Sequence, residues 1–237
     1  MKVVKGIILR VLEYTEDQKI VHVFTEESGF LSLISPAFLF KKRKNPLHLL
    51  QISEIEFFPN EKGNLHKLKR VEPMVNLSAA YFDVYKMNIM LLWGEILYVV
   101  LKNEQKNEAL YDYLYRSIDY LNTAQKDVAN FNLFFLYRLP ALIGFKIDTP
   151  SHSQGNLFNV WEGNFVTKES GKPFVSGVNA ANVIYKLCTC ELQELSEIAL
   201  DGKSRSLLLD IILLFFSVHL NVDLNGKNIR VIRELFS

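Results

Sequence analysis

Cysteine is scarce: the 237 residues contain two, Cys188 and Cys190, with one residue between them. A disulfide across so short a loop is strained, and a small secreted framework needs more bridges. A reducing, cytoplasmic home is therefore expected. Long apolar runs are missing too. Leu207–Leu220 spans 14 residues and contains Asp210, which is too short for a bilayer span and reads as a buried helix. Met87–Leu101 carries Glu95 and is also too short. Lys2, Lys5 and Arg10 interrupt the first apolar segment, so no secretory leader is expected. Neither sign of charge dominates, with Lys+Arg at 27, Asp+Glu at 26 and a formal net charge of +1. That excludes a uniformly basic, histone-like binder, so any polyanion must be met by local positive charge. A phosphate-binding loop is absent as well. Gly202-Lys203-Ser204 comes closest but lacks the earlier glycine and the preceding strand, and ATP hydrolysis is not expected.

What is present divides near residue 75. Apolar residues make up 49% of the chain, enough for a folded core. Before the division the pattern is that of strands. Val3–Leu12 and Ile20–Thr25 are rich in Val, Ile and Leu, and Glu26-Glu27-Ser28-Gly29 turns the chain into Phe30–Ile34. Ile52–Phe58 alternates, with Ile55 and Phe57 on one side and Glu54 and Glu56 on the other. A turn at 59–64 leads to Leu65–Val71, whose mixed alternation leaves its inward face open. Five short strands in about 70 residues predict a small closed or partly open barrel.

After Pro73 the period lengthens to that of helices. Leu92, Ile96, Val99 and Val100 form one stripe; Leu110, Leu114, Ile118 and Leu121 form another. Asp127 is the expected N-cap of a third helix running through Phe134 and Leu142 to Phe145, with Gly144 near its end. Residues 147–177 break the pattern with two prolines and four glycines, and 157–166 reads as a small hairpin. Helices resume near Ala180 and again from Ser204 to Val222, and a short final helix ends at Phe236. The second part is thus expected to be all-helical with one irregular insertion.

Charge follows the same boundary. Residues 1–75 carry 12 Lys/Arg against 9 Asp/Glu, and the remainder 15 against 17. Lys41-Lys42-Arg43-Lys44 lie between two strands, and no acid occurs from Ser28 to Ser53. Lys62, Lys67, Lys69 and Arg70 form a second bunch. A small barrel with basic loops is a platform for single-stranded nucleic acid, with phosphates met by cations and bases stacked on rings such as Phe38 or Phe40. The competing reading is a solubilising loop.

Other polar residues suggest less. Glu95 and Asp210 sit in apolar helices, where a catalytic pair competes with two polar helix edges. His219 and Asp223 are four apart, too little for a metal site. Ser151-His152-Ser153 is a polar loop, since triads assemble in space. Tyr111, Tyr113, Tyr115 and Tyr120 crowd one helix on more than one face, as a core rim or a peptide groove.

Three segments carry a resemblance. Lys5-Gly6-Ile7-Ile8-Leu9-Arg10, then Tyr14-Thr15-Glu16-Asp17, then Val21–Gly29 ending in Thr25-Glu26-Glu27-Ser28-Gly29, are similar to the start of the bacterial recombination-mediator family RecO. Phe135–Phe145, with Arg138, Leu139, Leu142 and Gly144, resembles that family's "F-x-x-R-L-x-x-L-x-G" helix, and Lys227–Phe236 lies where the family has its closing helix. The resemblance implies a five-stranded OB-fold barrel over 1–75, then an all-helical domain over 76–237. It implies a non-enzymatic DNA repair and recombination protein that binds single- and double-stranded DNA and anneals complementary strands. Its partners would be RecR and the acidic C-terminal tail of the single-stranded-DNA-binding protein, with RecA loaded indirectly. Carried over residue by residue, the DNA surface would comprise Lys41, Lys42, Arg43, Lys44, Lys67, Lys69, Arg70 and Arg10. Many members hold zinc with four cysteines after the "L-x-G" helix, but 147–177 contains no cysteine and one histidine, His152. No metal or cofactor is expected, and packing by Phe158, Trp161 and Phe165 is expected in its place. The rival readings are an OB-fold protein-interaction adaptor with little DNA binding, and an enzyme using Glu95, Asp210 or His219.

Overall fold

The computed structural model describes residues 1–36, 47–173, 176–222 and 224. The basic run Lys41–Lys44, the rings Phe38 and Phe40, Asp223 and the closing segment Lys227–Phe236 lie outside these residues. The chain forms two compact units, Met1–Thr123 and Ala124–Ser237. The change of pattern near residue 75 marks the end of the last barrel strand, whereas the compact units divide at Thr123/Ala124.

The first unit begins with β1 (Lys2–Thr15), β2 (Gln18–Thr25), β3 (Gly29–Pro36), β4 (Ile52–Phe58) and β5 (Leu65–Pro73). They close into a barrel in the order β1-β2-β3-β5-β4. All pairs are antiparallel except β3 with β5, which is parallel. Closure removes the unpaired strand edges that an open sheet would present. The interior is filled by Val4, Ile8, Val21, Val23, Leu33, Leu47, Ile55, Phe57 and Leu68. Each such side chain contributes about 1.5–3 kcal/mol relative to exposure.

β5 shows why its alternation is hard to read from sequence. A bulge interrupts its register with β4: Glu56 faces Arg70, but Phe57 already faces Leu68. Lys69 is the extra residue. Leu68 therefore stays inside, Lys69 and Arg70 both stay exposed, and Val71 returns to pack against the core.

Three helices complete the unit: α1 (Ser78–Phe82), α2 (Val84–Val100) and α3 (Glu108–Thr123). Asp83 caps α2, its carboxylate accepting from the amides of Tyr85 and Lys86. α2 packs on β1, and Tyr98 lies against His22 and Phe30. The β2–β3 turn reaches the loop after α2, where the Phe30 amide donates to the Glu104 carbonyl at 3.0 Å. Gly29 is required there. Its φ is +70°, and a Cβ would stand 2.4 Å from the Gln105 carbonyl carbon. Asn122 near the end of α3 closes the unit. Its Oδ1 accepts from the Ala80 amide and its Nδ2 donates to the Asn76 carbonyl, both at 3.0 Å.

The second unit contains α4 (Val128–Leu142), the hairpin β6 (Leu157–Asn159) and β7 (Asn164–Val166), α5 (Val178–Thr189) and α6 (Gly202–Leu220). Short 3₁₀ turns sit at Thr149–Ser151, Lys168–Ser170 and Leu192–Glu197. Phe135, Ile184, Ile212 and Phe158 are fully buried. Buried polar groups tie segments together. Tyr137 donates from its hydroxyl to the Leu208 carbonyl at 2.8 Å, and Asn130 from Nδ2 to the Ile198 carbonyl at 2.8 Å. Asp127 does precede α4, but it takes a left-handed φ of +57° and makes no side-chain cap bond, which corrects the expected N-cap. The helix ends at Leu142, short of the expected Phe145, and Gly144 takes a positive φ of +90° just past the helix terminus. Among the described residues no helix is long and apolar enough to cross a membrane.

Candidate nucleic-acid interface

The outer face of β5 gathers three of the four described cations in the expected set. Lys67, Lys69 and Arg70 are all exposed. They differ in what neutralises them. Lys67 sits opposite Ile34 on one side and Phe58 on the other, and carries no ion pair among the described residues. Lys69 pairs with Glu56 at 2.8 Å, and the Glu56 side chain is only 15% exposed beneath it. Arg70 pairs with Glu72, both partners being half exposed or more. An exposed pair such as Arg70–Glu72 is worth about 0–1 kcal/mol, little enough for an arriving phosphate to displace the carboxylate, whereas the shielded Glu56 holds Lys69 more firmly.

Apolar groups lie beside these cations. Phe58 at the end of β4 is 43% exposed, with the Lys69 ammonium 5.9 Å from its ring centre. Val3 on the adjoining strand β1 and Met1 just before it are exposed, and the Lys69 ammonium also reaches the Met1 sulfur at 3.2 Å. His66 holds the turn between β4 and β5, its Nδ1 accepting from the Asn60 amide at 3.0 Å. Burial, helped by Lys2, keeps its pKa below the ordinary value of 6.5. The ring is thus neutral at pH 7, as an accepting Nδ1 requires.

Arg10 is not brought together with the β5 cations. It lies on β1, separated from β5 by β4 in one direction and by β2 and β3 in the other. Its guanidinium stands 4.7 Å from the Tyr98 ring centre and 3.8 Å from Glu95 of α2. His22 neighbours it, bonded through Nδ1 to the Ser32 hydroxyl at 3.0 Å. Burial first, then the Arg10 and Lys102 charges, holds His22 below its ordinary pKa.

The remaining candidates sit in structural surroundings. Glu95 answers Arg10 in the first unit, while Asp210 is half-buried on α6 in the second. His219 donates from Nε2 to the Val160 carbonyl at 2.9 Å and packs on Phe215, holding α6 to the hairpin. Tyr111 is buried and Tyr113, Tyr115 and Tyr120 are half-buried, the arrangement of a core rim. Cys188 is a free thiol that burial pushes up to about 12, and Cys190 is also free.

The insertion does not fit a zinc ion. Its described residues hold no cysteine, and His152 is committed elsewhere: it stacks on Tyr185 at 4.2 Å and bonds Asn182 through Nε2 at 2.9 Å. No group of three metal-ligating side chains occurs among the described residues. Aromatic packing does fill the segment, through Phe158 against Phe165 at 5.3 Å and Phe165 edge-on to His152 at 4.9 Å. Trp161 departs from expectation: it is 46% exposed, and His152 and Tyr185 are the rings that join Phe158 and Phe165.

A five-stranded barrel closed in this strand order, followed by helices, is an OB-type barrel protein with an appended helical region. Comparison with known families narrows the class. Residues 1–76 match the family described as Recombination protein O N terminal, and residues 81–227 match Recombination protein O C terminal. The DNA repair protein RecO of Flavobacterium psychrophilum is 29% identical over 98% of both chains. That of Bacteroides fragilis is 27% identical over 98% of this chain and 97% of its own. The chain belongs to the RecO family of DNA repair proteins.

Proposed function

We propose that this protein binds single- and double-stranded DNA through its barrel, anneals complementary strands and works without catalytic chemistry. With RecR it helps load RecA onto DNA coated by the single-stranded-DNA-binding protein, whose acidic C-terminal tail it engages. The cytoplasm is its place of action. The observation that carries this reading is the bulged β5 strand, which turns Lys67, Lys69 and Arg70 outward together on an OB-type barrel. Lys41–Lys44 are proposed to extend that surface, and Arg10 is the fourth described cation, to be tested separately. Two strands held near one cationic face meet at raised effective concentration, which is all that annealing needs.

The test is fluorescence polarisation of a labelled single-stranded oligonucleotide across a salt series, followed by annealing of strands coated with the single-stranded-DNA-binding protein. Salt-sensitive binding with annealing is expected. No binding at low salt would sink the reading in favour of its rival, a protein-interaction adaptor. One observation favours that rival. Phe82, 88% exposed, and Met74 line a cleft of about 940 Å³ together with His48, Leu49, Tyr81 and Met87, and Val84 and Tyr85, next along the chain, are exposed as well. Exposed apolar surface of this kind suits protein contacts.

A further inference from the structure

We infer that Phe58 is a base-stacking residue that makes the barrel favour unpaired over paired nucleic acid. The inference rests on the DNA-binding reading and adds a discrimination to it. Three features of the ring support it. Phe58 ends β4, so its backbone is fixed by the barrel and not by a loop. It turns outward while Phe57, its neighbour, fills the core at 2% exposure, so its own 43% exposure is not a packing leftover of a loose strand. Cations stand on its flank: Lys67 is its cross-strand partner, and the Lys69 ammonium is 5.9 Å from the ring centre. A ring on a rigid strand, with ammonium groups one side chain away, matches the spacing of a nucleotide, whose base and phosphate need both.

The discrimination follows from geometry. Phosphates occur on single strands and duplexes alike, so Lys67, Lys69 and Arg70 reward both. A stacking ring rewards only a base that is free of its own stack. In a duplex that base must first be unpaired and turned out, at a cost of a few kcal/mol. The Phe58 contribution is therefore present with single strands and absent with duplex. The neighbouring Lys69 already covers part of the ring, so the gain falls at the lower end of measured base–aromatic stacking, roughly five- to tenfold in affinity.

The experiment compares a fluorescein-labelled oligothymidylate with a duplex of equal length, using the wild-type chain, Phe58→Ala, Phe58→Trp and Lys67→Ala. Phe58→Ala is expected to weaken single-strand binding roughly five- to tenfold, leave duplex binding within about twofold, and leave the salt slope unchanged. Lys67→Ala is expected to weaken both substrates and flatten the slope. Phe58→Trp is expected to restore affinity, and its added indole emission to be quenched on binding oligothymidylate. Equal loss on both substrates in Phe58→Ala, no loss on either, or an unquenched Phe58→Trp overturns the inference while leaving the DNA reading standing. Failure of the wild-type chain to bind either substrate overturns both. Circular dichroism of each variant separates these outcomes from unfolding.

Discussion

Replacing Lys67, Lys69 and Arg70 by alanine, singly and together, separates a free cation from neutralised ones on the same strand. For a single strand, each phosphate left without its cation lowers the slope of log affinity against log salt by about 0.7. Over a fourfold rise in salt each neutralised phosphate thus accounts for roughly a 2.6-fold change, and three for roughly 18-fold. The three residues do not start equal. Lys67 has no ion pair among the described residues, Arg70 shares an exposed pair with Glu72, and Lys69 is held by Glu56, whose side chain is only 15% exposed. Displacing a carboxylate from an exposed pair costs about 0.2–1 kcal/mol, and more where that carboxylate is shielded. The expected order of affinity loss is therefore Lys67→Ala, then Arg70→Ala, then Lys69→Ala. The triple variant should lower the slope by about 2. Removing the internal competitor has the opposite sign: Glu56→Gln frees Lys69 and should tighten binding about two- to fivefold. Arg10→Ala, whose side chain packs on Tyr98, should leave the slope unchanged. The assay is anisotropy of a labelled oligonucleotide from about 50 to 400 mM salt. Equal losses in all three single variants, or weaker binding by Glu56→Gln, would refute the reasoning.

Three further outcomes concern stability. Gly29→Ala puts a Cβ 2.4 Å from the Gln105 carbonyl carbon at φ +70°, so urea unfolding should show a loss of about 3 kcal/mol or more. Gly144→Ala, with a similar φ but nothing within 4 Å, should lose only about 1–2 kcal/mol; equal losses would remove the close approach as the cause. Asn122→Ala removes two bonds, but the Ala80 amide keeps the Leu77 carbonyl at 3.1 Å and the Asn76 carbonyl is only partly buried, so the loss should be about 1–3 kcal/mol; a wild-type unfolding midpoint would show that the remaining partner and water replace both bonds. His22 and His66 both titrate below 6.5 in the folded chain, so the unfolded chain takes up protons first as pH falls. Their contribution is intact above 6.5 and drains away below it. The melting temperature should drop as pH falls below about 6.5, and His22→Gln with His66→Gln should shrink that drop; an undiminished drop would place its origin in other groups.

The barrel was legible because its strands obey a period of two: Ile55 and Phe57 face inward and Glu54 outward, as alternation requires. β5 resisted for a definite reason. A bulge breaks the period at Lys69, and no local signal in Lys-Leu-Lys-Arg-Val announces it. The same bulge is what places Lys69 and Arg70 on one face, so the least readable strand is the one that builds the candidate site. Ion pairing was equally hidden, because Lys69 meets Glu56 across strands and not along the chain. Arg10 reads as one more cation of the first part; only the packing of α2 sets it apart. Phe58 does carry a readable signal, an apolar residue at a polar position of an alternating strand. Asp127 meets the composition rule for a cap but not its geometry, since a left-handed backbone turns the side chain away from the helix amides.

The fastening of the β2–β3 turn to the segment after α2 bears on how this protein is taken apart. Gly29 allows that approach, the Phe30 amide bonds the Glu104 carbonyl, Tyr98 covers His22 and Phe30, and Leu49 packs under Gly94 of α2. A gene fragment ending near codon 75 would express five strands stripped of that cover and prone to clump. One ending at codon 123 would carry the barrel with its first three helices as a single heritable piece. In a tree of shuffled domains, recombination breakpoints should accordingly be tolerated after Thr123 and punished after Pro73.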